Sequence, residues 1–259
     1  MTVLHLADAG EAADLAAFLS RLVHYDRAAA VRLTAHGTTL AVFGRPPSFE
    51  VLAIRTARLA KPYEHGLDVT LDVTVSAGEL LESIEESAAT AGVPAAVTGP
   101  PWAGVLPPRG GWRVEPGLPG PDAVRAKVAE AVAEFRSRTE ELAPELRTRA
   151  ELDRVGREIW SRPIGDTGLP VRAAHAAQAL GFLRPAPPAP VTVDASVSAE
   201  GQTEGQAEGQ AEGQTEGQLP PRGSPLTLYS SGAWLRLRTP FGSVAVRRAG
   251  LGSLGVSVN

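Results

Sequence analysis

The run Leu67-Asp68-Val69-Thr70-Leu71-Asp72-Val73-Thr74-Val75-Ser76-Ala77-Gly78-Glu79 decides the fold class. Successive side chains of a strand point to opposite faces. Leu67, Val69, Leu71, Val73 and Val75 therefore share one face, and Asp68, Thr70, Asp72 and Thr74 the other. A slip of one residue would carry every one of those apolar side chains into water, so the pattern fixes the register. The period then changes. Ser76 and Glu79 form an S-x-x-E capping box. Leu80, Leu81, Ile84 and Ala88 supply the apolar face of a helix that Gly92 can end.

Working toward the N-terminus, Val51-Leu52-Ala53-Ile54 is apolar on both faces, as expected of a central strand. Leu40-Ala41-Val42-Phe43 is joined to the alternating Val31, Leu33 and Ala35 by the turn His36-Gly37-Thr38. Before these strands, Asp8 caps a helix with Glu11 three residues on, and Leu15, Phe18, Leu19 and Leu22 make its apolar stripe. Helix, four strands, helix is the order of an antiparallel sheet with helices on one side.

Working toward the C-terminus, residues 94–121 are rich in proline and glycine, which exclude regular structure over most of the stretch. Trp102 and Trp112 sit inside it and predict that the loop is pinned to a surface. Three helices follow. The first begins at Pro121 with Val124, Val128, Val132 and Phe135. The second carries Leu152, Val155, Ile159 and Trp160. The third runs from Val171 to Leu180 and ends at Gly181. Ala199 to Gln218 is five copies of Ala/Thr-Glu-Gly-Gln, without a large apolar side chain to offset the entropy of ordering. After it, Leu226–Tyr229, Ala233–Arg238 and Ser243–Arg248 are strands joined by tight turns, and Leu254, Val256 and Val258 suit a last short strand.

The expected class is α+β. It comprises an N-terminal helix–antiparallel sheet–helix unit (1–98), a Pro/Gly-rich loop (99–120) and a three-helix unit (121–184). A disordered insertion with Glu-Gly-Gln repeats (185–224) and a small C-terminal antiparallel sheet (225–259) packing on the helices complete it.

The chain has 259 residues and a formal charge of −4, which gives no strong push toward nucleic acid. Cysteine is absent, which excludes disulfides, thiolate metal sites and a cysteine nucleophile. The opening lacks a secretory pattern and no window approaches the ~20 apolar residues of a membrane span, so a cytoplasmic protein is expected. The last 41 residues hold five arginines and no acid, the one charge asymmetry that points to a site.

The Leu15–Leu33 helix-into-strand run, Gly181-Phe182-Leu183 and the segment from Gly232 through Trp234-Leu235-Arg236-Leu237-Arg238 to Ser243 resemble an uncharacterised actinobacterial protein family of unknown function. The resemblance implies no activity and no site residue, and the repeat tract departs from it.

No residue pattern supports catalysis. His5, His24, His36, His65 and His175 form no H-x-x-x-H pair, and the chain has no P-loop, no Rossmann fingerprint and no nucleophile elbow. No catalytic residue, metal ligand or cofactor is expected. The expected function is a non-enzymatic protein-interaction or regulatory module with a protein partner. The alternative is a winged-helix-like DNA-binding protein using the 171–180 helix and the 226–248 hairpin. On that reading Arg172, His175 and Gln178 recur every third residue on the helix, while Trp234, Arg236 and Arg238 share a hairpin face, with Arg247 and Arg248 nearby. Arginines would hold phosphates and the helix would read base edges.

Overall fold

A computed structural model of the chain describes residues 2–62, 70–185 and 226–248. In chain order the elements are β1 (Val3–His5), α1 (Ala9–Tyr25), β2 (Ala30–His36), β3 (Thr39–Gly44), β4 (Leu52–Arg58) and β5 (Thr70–Ser76). Then come α2 (Ala77–Glu82), β6 (Ile84–Glu85), β7 (Thr90–Gly92), β8 (Arg113–Val114), α3 (Pro121–Glu140), α4 (Arg149–Trp160) and α5 (Val171–Ala179). The last strands are β9 (Thr227–Ser231), β10 (Trp234–Thr239) and β11 (Gly242–Arg247). The class is α+β. The repeat tract, residues 67–69 of the opening run and the strand expected at 254–258 lie outside the described residues.

Asp8 caps α1 by accepting from the Glu11 amide at 2.8 Å, and the stripe Leu15, Phe18, Leu19 and Leu22 is buried. The alternation in β5 sets its register against β2, with Val31 opposite Val75, Leu33 opposite Val73 and Ala35 opposite Leu71. Ser76 caps α2 through the Glu79 amide at 3.4 Å. The helix expected to reach Gly92 stops at Glu82 instead. Ser83 Oγ donates to the Leu80 carbonyl and also lies 2.7 Å from the Gly92 carbonyl, which folds the chain back on itself. Ile84 therefore sits in β6, and β6, β7 and β1 make a small sheet of their own. These strands are two or three residues long, too short to leave a periodic signature.

The second sheet has eight strands in the order β5-β2-β3-β4-β11-β10-β9-β8, with every pair antiparallel. The C-terminal strands form the meander foreseen, and β11 joins β4, placing Ser243 opposite Ile54 and Ala245 opposite Leu52. One face carries Val31, Leu33, Val42, Ala53, Val244, Leu235 and Leu237 against the helices. There α1 packs on β4, α5 packs on β11, and α3 packs on α4 and α5.

The end of α5 closes this layer. Gly181 has φ +74°, and the amides of Gly181 and Phe182 donate to the carbonyls of Gln178 and Ala177. That is the double hydrogen bond of a left-handed helix end, which glycine adopts without a Cβ penalty. It aims Phe182 at Phe18, with ring centroids 5.6 Å apart.

Residues 94–120 cross the opposite face as a strap. The Val97 amide donates to Thr74 of β5, and Arg32 of β2 donates to the Ala103 carbonyl. Trp102 and Leu106 pack on Leu52, Ile54 and Ala245, and Trp112 lies against Arg236 of β10. The strap then pairs with β9 as β8. Its prolines prevent a repeating hydrogen-bond ladder, so side chains hold most of it down. No helix among the described residues is long and apolar enough to cross a membrane.

Candidate functional site

The strap does not cover its face completely. Between it and the β4–β11 seam lies an open cavity of about 500 Å³. Leu52 and Ala245, opposite one another on the two strands, form an apolar floor. Trp102 of the strap and Trp234 of β10 provide aromatic walls, with Pro101 and Val105 beside them. Among the described residues Arg45, Arg172 and Arg247 line the cavity together with one carboxylate, Glu50. A second hollow of about 470 Å³ adjoins it and shares Arg45 and Trp102.

The three guanidiniums are held differently. Arg172 projects from the first turn of α5 and faces Glu50 with Nε 3.6 Å from Oε2, too long for a hydrogen bond. Its Nε is buried, and among the described residues nothing accepts a hydrogen bond from it. Arg247 lies over the Trp234 ring at 5.2 Å, a cation–π contact across the β10–β11 pair. Arg45 is exposed at the end of β3, and no described carboxylate lies within ion-pair reach of it.

The loop bearing Arg45 and Glu50 is fixed from behind. Ser48 and Glu50 have φ of +69° and +53°, conformations that cost a non-glycine residue about 1–3 kcal/mol. Phe49 between them is clamped edge-on by Tyr25 at 5.8 Å and His175 at 5.2 Å. His175 in turn stacks on Trp160 at 4.7 Å. The packing that clamps Phe49 offsets the backbone strain.

Of the eight residues singled out from sequence, Arg172, Trp234 and Arg247 meet in this cavity. His175 belongs to the aromatic stack, where burial pushes its pKa below the usual histidine range. Gln178 is exposed on the helix. Arg248 pairs with Glu115 of the strap at 3.0 Å; hydrogen bonding to Ser230, then Arg248 itself, holds that carboxyl below its usual range. Arg236 and Arg238 lie beside the cavity under the strap. Arg236 Nε donates to Ser243 Oγ at 2.9 Å, and burial followed by the neighbouring Arg238 pushes its pKa down to about 10. Arg238 reaches the Tyr229 hydroxyl at 3.5 Å, and its Nη2 is buried with no hydrogen-bond partner among the described residues. In α5 itself Val171, Ala173, Ala174, Ala176 and Ala177 are buried, so the helix is an interior one.

Arg45, Glu50, Leu52, Trp102 and Val105 complete the cavity and were not among the residues expected at a site. The tryptophan inside a proline-rich loop was the one signal that pointed there. Among the described residues no group of three or more His, Asp or Glu side chains could hold a metal ion.

The comparisons with curated proteins and with solved structures find no match. Two family descriptions match: Domain of unknown function (DUF8010) over residues 1–104 and Domain of unknown function (DUF8185) over residues 107–251. The first supplies Arg45, Glu50, Leu52 and Trp102 to the cavity; the second supplies Arg172, Trp234, Ala245 and Arg247. The second match spans more than half of the chain, and the chain therefore belongs to the family described as Domain of unknown function (DUF8185).

Proposed function

We propose that the protein is a regulatory binding module and that it takes a ligand of metabolite size into the cavity at the β4–β11 seam. The observation that carries this reading is the lining: an apolar floor, two indoles and three guanidiniums around about 500 Å³. Small-molecule sites have this volume and this mixture of apolar surface with a few convergent polar groups. Binding is favoured over catalysis because, among the described residues, the lining holds no nucleophile beside a base, its ionisable groups being Glu50 and the arginines. A protein partner is less well supported, since the cavity has the dimensions of a small ligand. Duplex DNA is less well supported too, because α5 is mostly buried, with Gln178 its one exposed residue, and so is poorly placed to enter a groove about 12 Å wide.

The test uses 1-aminoanthracene, a neutral dye whose emission rises in apolar surroundings. It should bind the wild-type protein at one site. Val105→Trp, a change at an exposed rim position, should abolish binding by filling the cavity while the circular dichroism spectrum stays unchanged. Equal binding to both proteins, or binding to neither, overturns the reading.

A further inference from the structure

Resting on that cavity reading, we infer that its ligand is a planar aromatic anion, a ring bearing a carboxylate or phosphate, anchored by Arg172 and stacked on the tryptophan walls.

Charge is the first support. Three guanidiniums face one carboxylate across the cavity, and Glu50 stands too far from Arg172 to accept its hydrogen bond. Arg172 lines the cavity with its side chain 21% exposed, so part of it is open to a ligand. A guanidinium presents its donors in a planar fork that matches the two oxygens of a carboxylate or phosphate.

Shape is the second. Trp102 and Trp234 give flat, electron-rich faces over a floor of short side chains, Leu52 and Ala245. Aromatic rings pack on such faces in offset or edge-to-face geometry, with energy beyond their buried area. Arg247 already lies over the Trp234 ring, which brings a second cation to the aromatic wall.

Rigidity is the third. Arg172 leaves a helix whose neighbouring positions are buried, and the loop opposite is clamped through Phe49. Anchor and wall are therefore in place before the ligand arrives, which lowers the entropy lost on binding.

The experiment measures displacement of 1-aminoanthracene by three competitors: 2-naphthoate, its neutral counterpart 2-naphthalenemethanol, and acetate. We expect 2-naphthoate to displace the dye at a concentration at least about tenfold below that of 2-naphthalenemethanol, and acetate to have no effect. In Arg172→Gln the two naphthalenes should become equal while the dye still binds, which shows that the cavity itself is intact. Trp102→Phe should weaken 2-naphthoate less than Arg172→Gln does. Equal displacement by both naphthalenes in the wild type overturns the anion anchor and leaves the cavity reading standing. Displacement by acetate as strong as by 2-naphthoate overturns the aromatic requirement. Failure of the dye to bind overturns the cavity reading instead, so the two are separable.

Discussion

On one face of the eight-stranded sheet, α1 and α5 set Leu15, Phe18, Leu19 and Ala174 into a continuous apolar layer. On the other face, a strap without a repeating backbone ladder sets Trp102 and Leu106 on Leu52, Ile54 and Ala245, and leaves a cavity between itself and the strands. The polar groups differ in the same sense. On the helix side Arg55 of β4 is buried but engaged. It reaches Glu11 at 3.3 Å, Asp14 at 3.0 Å and the Phe241 carbonyl at 2.7 Å. Arg58 adds to the same cluster from its edge, and Arg184 joins Asp14 at 2.6 Å. Under the strap, Arg236 donates to Ser243 Oγ at 2.9 Å and Arg238 reaches the Tyr229 hydroxyl at 3.5 Å, with no carboxylate paired to either among the described residues. Two layers built on one sheet thus treat arginine differently: the first sets Arg55 among carboxylates and ties α1 to the seam, and the second leaves Arg236 and Arg238 with hydroxyl acceptors.

This contrast is sharpest when the same residue type is removed from each side. Arg55→Ala removes the cation that Glu11 and Asp14 share, leaving Glu11 with Arg58 and Asp14 with Arg184, and stability should fall by about 3 kcal/mol. Urea denaturation followed by circular dichroism measures it, and an unchanged midpoint would mean that the cluster is not a latch. Trp102→Ala removes a partly exposed ring from the strap and should cost less, about 2 kcal/mol. Its mark is local: amides of residues 97–114 should exchange faster with solvent while those of α1 and β4 stay protected. Arg238→Met should run the other way and stabilise the protein by about 1 kcal/mol, because it removes a buried donor that lacks an acceptor. A loss of stability there would show that the strap side satisfies its arginines after all.

Local chemistry made much of the fold legible. The Asp8 cap, the β2–β3 hairpin, the alternation from Leu71 to Val75 and the glycine end of α5 are each set by residues within a turn or two. Leu80, Leu81 and Ile84 keep a helical spacing, which predicts a helix longer than the one that forms. What ends it is the hydroxyl of Ser83, near a carbonyl nine residues away in sequence, and periodicity does not register such a bond.

The candidate site was legible only in fragments. Arg172, Trp234 and Arg247 stood out by type and spacing, and His175 looked equivalent to Arg172 on the helix. The fold separates them, turning the histidine into an aromatic stack and the arginine into a cavity. Arg45 and Glu50 gave no sign at all, being single charges in a short loop.

The sequence by itself determined the long helices and strands, because hydrophobic period, caps and turn residues act over a few neighbours. It also determined that the strap must lie against a surface, since two indoles in a proline-rich stretch need cover. Only the tertiary structure decided that β11 adds to β4, bringing Ala245 beside Leu52 from far along the chain. Strand edges pair through backbone groups that every residue shares, so no side-chain pattern announces the partner, and the cavity that depends on that pairing stays hidden until the chain is folded.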